Sequence, residues 1–147
     1  MKYLRVVLAL GCVAMLASAC SGLSGSHRAQ VGEWANAAGY DGANAQIQSD
    51  LSYLTAAVRA RNVKDFQTDC EGFSGDVEVL YETLPTPDVT LTNELDDAFE
   101  DWFNAAADCN DATSLSSSAY RDATSELKKG QEQYSRAKAR LASFGIR

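Results

Sequence analysis

Two apolar stripes folded about a proline corner, each carrying one cysteine, constrain this chain more than any other feature. Before the corner Leu84-Pro85-Thr86-Pro87-Asp88, the residues Val63, Phe66, Cys70, Phe73, Val77, Leu80 and Leu84 recur at alternating spacings of three and four. After it, Leu91, Leu95, Ala98, Trp102, Ala105 and Cys109 do the same. That spacing keeps side chains on one face of an α-helix. Pro85 and Pro87 hold Leu84 and Thr86 in extended backbone, which ends the first helix and stiffens the turn. The stripes then face each other in a helical hairpin, with a cysteine on each facing seam. At 1.5 Å per residue, Cys70 lies about 20 Å before the corner and Cys109 about 27 Å beyond it. The corner absorbs that difference of about one turn, so the two Cα atoms are expected within about 7 Å. Closing such a loop stabilises the fold by about 4 kcal/mol in the chain-entropy model.

The remaining pattern is also helical. Ile47, Leu51, Leu54 and Val58 form one stripe with Ala57 beside it, and Asn62 is the expected break and N-cap before the hairpin. Gly72 and Gly75 each cost about 1 kcal/mol inside a helix but fall off the seam. Asp88, Thr90 and Thr92 are all credible caps after the corner. In the last helix Tyr120, Leu127, Tyr134 and Leu141 hold one heptad position, and Ala123, Gly130, Ala137 and Phe144 hold the other. The small residues of the second set admit a neighbouring backbone, and Gly145 supplies a C-terminal stop. No useful run alternates with a period of two. The expectation is an all-α, up-down four-helix bundle over residues 45–147 with one interhelical disulfide. Within 20–44, Val31 and Trp34 suit a short helical turn, and Gly32, Gly39 and Gly42 interrupt anything longer.

The first nineteen residues read as an export signal. Lys2 and Arg5 precede the apolar run Val6–Leu16, which is too short for a permanent bilayer span. Leu16-Ala17-Ser18-Ala19-Cys20 resembles the bacterial lipobox, in which the cysteine is acylated and becomes the mature N-terminus, although Ala17 stands where that motif usually has leucine. The same letters also make an ordinary A-x-A cleavage site, but that leaves Cys20 as a free thiol. With Cys12 lost in the signal and Cys20 lipidated, Cys70 and Cys109 remain as a pair in an oxidising compartment. Ser21–Ser26 then forms a short tether, and the chain is placed on the outer face of the cell membrane.

Charge bears on partners. The chain carries −7, and loss of Lys2 and Arg5 leaves −9. Residues 64–111 hold fourteen acids against Lys64 alone, while residues 112–147 hold seven bases and three acids. Nothing in the acidic part neutralises phosphate, which excludes nucleic acid as a partner of that surface. The basic last helix, lying beside the acidic hairpin, would reduce its self-repulsion. Glu94, Asp97, Glu100 and Asp101 share one side of a helix and form the candidate interaction surface. A row of carboxylates along a helix does not wrap a calcium ion, so they are read as a solvated face and not as a metal site.

Catalytic constellations are missing. The single histidine, His27, falls in the tether, so no Ser-His-Asp or Cys-His arrangement can be built around it. Gly72-Phe73-Ser74-Gly75 lies in a helical pattern and is no nucleophile elbow. Neither a phosphate-binding glycine loop nor a Glu-x-x-His pair occurs, so no cofactor or metal is expected. Tyr53, Tyr81, Phe99, Trp102, Tyr120 and Tyr134 read chiefly as core, with an interhelical ligand pocket as the alternative.

The lipobox, the spacing Cys70…Leu80…Leu84-Pro85-Thr86-Pro87-Asp88…Leu91…Cys109 and the long closing helix together resemble a group of small actinobacterial lipoproteins. The resemblance covers nearly all of the mature chain. It implies envelope location and a helical fold, and it transfers no activity, ligand or catalytic residue. The functional expectation is a non-enzymatic, lipid-anchored module that binds another envelope component. The competing expectation is a carrier of a small apolar ligand held between helices.

Overall fold

The computed structural model describes residues 26–146. Within them the chain is all-helical, with no strand: α1 His27–Ala37, α2 Tyr40–Ala60, α3 Val63–Tyr81, α4 Val89–Asp111 and α5 Ser118–Ser143. Helices α2 to α5 are the four expected from the apolar stripes. They pack in chain order, α2 on α3, α3 on α4 and α4 on α5, and short connections make each antiparallel to the next.

The helix count corrects the sequence reading. Residues 27–44 are not a weakly structured lead-in: α1 is a separate helix, and α2 begins at Tyr40. Ser26 caps α1 by accepting a hydrogen bond from the Ala29 amide at 3.3 Å. Val31 and Ala35 are buried, and the Trp34 indole donates to the Thr83 carbonyl at 2.9 Å across the end of α3. Only Gly39 breaks the helical run, with φ at +61°, whereas Gly32 and Gly42 sit within helices. Periodicity could not reveal α1 because its apolar contacts are few and its support is tertiary.

Elsewhere the local signals act as their chemistry predicts. Asn62 caps α3 through the Asp65 amide, Asp88 caps α4 through the Leu91 amide at 2.7 Å, and Ser117 caps α5 through the Tyr120 amide. Of the other two candidate caps, Thr92 turns its hydroxyl to the Thr86 amide at 2.9 Å and so ties α4 back to the corner. Helix α5 ends in a left-handed Gly145 at φ +82°, with the Ile146 amide bonded to the Leu141 carbonyl and the Gly145 amide to that of Ala142.

The core follows the stripes. Phe66, Cys70, Phe73, Val77 and Leu80 of α3 and Leu91, Leu95, Ala98, Trp102, Ala105 and Cys109 of α4 are buried. Cys70 and Cys109 form a disulfide with a Cα–Cα distance of 6.4 Å. On α5, Ala123, Gly130 and Ala137 are buried against α4. A Cβ built on Gly130 would overlap the Trp102 indole and stand 2.9 Å from the Ala98 carbonyl oxygen, so glycine is what permits this approach. The Trp102 Nε1–H donates to the Leu127 carbonyl at 3.3 Å.

Candidate functional site

The proline corner is where most elements meet. Asp88, nearly fully buried, accepts at Oδ1 from the Leu91 amide and from Arg140 Nε at 3.1 Å, and at Oδ2 from Arg140 Nη2 at 2.8 Å. One carboxylate therefore caps α4 and clamps the end of α5. The Arg140 guanidinium beside Asp88 holds its carboxyl below the usual carboxylate range, aided by the Leu91 amide, against the opposing effect of burial. Arg140 also lies over the Phe144 ring at 5.4 Å.

His27 belongs to this knot and not to a tether. It opens α1, its Nε2 is 3.2 Å from the Pro87 carbonyl and 3.5 Å from Asp88 Oδ2, and its ring meets Phe144 edge-on at 5.4 Å. Half of its side chain remains exposed. The hydrogen bonds of this group join α1, the corner, α4 and α5. Its chemistry is that of a clasp.

The candidate interaction surface does not present a uniform face. Asp97 and Glu100 are exposed on the outer side of α4, whereas Glu94 and Asp101 are half-buried. Glu94 acts electrostatically on Arg140, and Asp101 on Glu126, so both border α5. The ion pairs of α5 involve Asp88 and its own Glu126 and Glu132, and none of the four surface carboxylates is paired within the described residues. Glu94 Oε2 is buried without a hydrogen-bond partner. No three His, Cys, Asp or Glu side chains converge as metal ligands among the described residues.

The aromatic residues separate by exposure. Phe99, Trp102 and Tyr134 are fully buried with Phe73, while Tyr53 and Tyr81 are 59% and 43% exposed. Ring centroids in the buried group stand 5.0 Å apart for Trp102–Tyr134 and 5.2 Å for Phe73–Trp102. These rings pack against one another in the core. An open groove of about 430 Å³ lies elsewhere, at the α1–α2 elbow beside Gly145 and Ile146.

Sequence reasoning missed one further group. Asp50 of α2 is 9% exposed, accepts from its helix neighbour Gln46 at 3.1 Å through Oδ1, and leaves Oδ2 without a partner. The carboxyl of Asp76 on α3 faces it, with Asp69 farther along the seam. The available signal was Asp50 itself, three residues beyond Ile47 and four before Leu54 on the apolar side of the helix. Cys20, the lipidation candidate, lies outside the described residues.

Fold and site define a small disulfide-bonded helical domain clasped at one end by Asp88 and Arg140. Comparison with family models, curated proteins and solved structures returns no match for this chain.

Proposed function

We propose that this chain is a lipid-anchored, non-enzymatic module of the cell envelope that binds another envelope component through the acidic side of α4. The observation that carries the reading is the Cys70–Cys109 disulfide, which suits an oxidising compartment outside the cytoplasm. It agrees with an export signal ending at Ala19 and acylation of Cys20, as in the small actinobacterial lipoproteins that the sequence resembles. None of the described helices is long and apolar enough to cross a membrane.

Anchoring at Cys20 also orients the domain. A segment such as Ser21–Ser26 reaches at most about 20 Å. Its end, Ser26, caps α1, and α1 lies against the proline corner. With such an anchor the corner end of the bundle would lie nearest the bilayer, with Glu94 to Asp101 about one to three turns along α4 from the corner. Anionic headgroups repel such a surface, which leaves it to a cationic partner approaching from the side.

Photo-crosslinkers at Asn93 and Asn104, exposed on α4 one turn before Asp97 and one turn after Glu100, test the proposal in intact cells. One defined adduct, lost when Asp97 and Glu100 are reversed to lysine, is expected. Cys20→Ala should move the protein from the detergent phase to the soluble fraction or block its processing, because two or three acyl chains hold a protein stably where one does not. Equal partitioning of both forms into the aqueous phase refutes the anchor. A crosslink pattern unchanged by charge reversal refutes the surface.

A further inference from the structure

The helices are not held equally. Helices α3 and α4 are joined by the disulfide, and α4 and α5 by the close approach at Gly130 and the Asp88–Arg140 clamp. Helix α2 packs closely only on α1 and α3 within the described residues. Its side-chain link to α5 is the buried group in which Tyr134 meets Asn44 at 3.1 Å and Tyr40 at 3.4 Å. Attachment of α2 thus depends on its seam with α3, and a carboxyl pair sits in that seam.

Asp50 and Asp76 are the two sides of this pair. Asp50 Oδ1 is occupied by Gln46, and Oδ2 has no donor. When both groups are ionised, each carboxylate can only accept, so no hydrogen bond forms between them. A single proton converts the contact into an acid–carboxylate hydrogen bond. The other charged group acting on Asp50 is Asp69 of α3, which Asp65 of the same helix faces in turn; α1 contributes none. No lysine, arginine or histidine among the described residues is ion-paired with Asp50 or Asp76. The charges acting on Asp50 are therefore negative.

We infer that Asp50 and Asp76 form a proton-operated latch: one shared proton bonds α2 to α3, and its loss sets two carboxylates against each other and loosens α2. Burial, followed by the nearness of Asp76, pushes the Asp50 carboxyl up to about 6, so the latch changes state within the range of pH met outside cells. Loosening uncovers the apolar residues beneath the seam, Ile47 on one side and Phe73 and Val77 on the other, while the disulfide-bonded part stays folded. The inference does not depend on the lipid anchor or on the acidic surface of α4.

Amide hydrogen exchange of the mature protein, corrected for the intrinsic pH dependence of exchange, tests this at about pH 5 and about pH 7.5. Exchange in α2 should be about tenfold faster at the higher pH, with α4 and α5 unchanged. Asp50→Asn and Asp76→Asn each supply a donor that needs no titrating proton, and each should keep α2 protected at both pH values. If one variant fails to fold, the other carries the test. Equal protection of wild-type α2 at the two pH values overturns the inference, as does a response spread evenly over α3 to α5 or one that persists in the variants. Closure of the seam by millimolar calcium at the higher pH would overturn it in favour of a cation site.

Discussion

One chemical change, glycine to alanine, should act with opposite sign at two places in this fold. Helix α3 contains Gly72, where an added Cβ meets nothing within 4 Å, and α5 contains Gly130, where it overlaps the Trp102 indole and comes within 2.9 Å of the Ala98 carbonyl oxygen. At Gly72 only helix propensity operates, and alanine should stabilise by about 0.5–1 kcal/mol. At Gly130 the same gain of about 1 kcal/mol applies. Against it stand overpacking of a filled core, about 1–3 kcal/mol, and strain on the Trp102–Leu127 hydrogen bond, worth about 1 kcal/mol. Neither opposing group moves easily. Trp102 is fully buried against Phe73, Phe99 and Tyr134, and the carbonyl belongs to the backbone of α4.

The balance is a net loss of about 1–3 kcal/mol for Gly130→Ala, or a midpoint lowered by about 3–12 °C in a domain of this size. Urea and thermal denaturation of the two variants against the parent measure both numbers under identical conditions. Tryptophan fluorescence reports separately whether Trp102 has shifted. If Gly130→Ala stabilises the protein as Gly72→Ala does, the α4–α5 approach is looser than described and the argument about small residues fails.

Replacing Cys70 and Cys109 together with alanine should cost about 2–5 kcal/mol while leaving most of the far-ultraviolet helical signal, and an unaltered denaturation midpoint would mean the bond adds nothing. Asp88→Ala removes the cap of α4 and the clamp on α5, and the cap alone predicts a loss of about 0.5–2 kcal/mol by chemical denaturation; Arg140→Met should lower the midpoint in the same direction. Calcium at millimolar concentration should leave the melting temperature of the parent where magnesium at equal ionic strength leaves it, and a calcium-specific rise would reveal a site among the α4 carboxylates.

The hairpin was legible in the sequence because its apolar stripes are long and uninterrupted. Phe66 to Leu80 and Leu91 to Cys109 are buried at every position that the spacing marked, and the cysteines meet as that register required. The small seam residues of α5 were legible for the same reason. Helix α1 was not, since its evidence lies in contacts made 49 and 60 residues away, from Trp34 to Thr83 and from His27 to Pro87. Glycine counting misled there: Gly32 and Gly42 remain helical because the packing of Val31, Ala35 and Tyr40 outweighs about 1 kcal/mol per glycine. The candidate acidic surface was legible as a run of charge but not as two edges, because only the position of α5 separates Glu94 and Asp101 from Asp97 and Glu100. Asp50 was overlooked since one acid on an apolar stripe reads as a boundary residue until the facing helix is known.

Two buried carboxylates then set the pH dependence of the fold in opposite senses. Asp88 is held below its ordinary 3.8 by Arg140, so its stabilisation is present above that pH and is lost as pH falls through its lower folded value. Asp50 is raised from 3.8 to about 6, so the folded state binds the extra proton between those values. In that interval stability falls as pH rises, and above about 6 the cost is constant. Asp69 and Glu126, also raised by burial, act in the same sense as Asp50. Stability should therefore peak in mildly acidic solution, near pH 4–5, where Asp88 is still ionised and Asp50 still protonated. Melting temperatures across that range and up to neutrality check the shape. In Asp50→Asn the neutral-side decline should flatten while the acid-side fall remains. A parent protein most stable at neutral pH, or a variant with the same decline, would show that Asp50 is solvated and ionised in the fold.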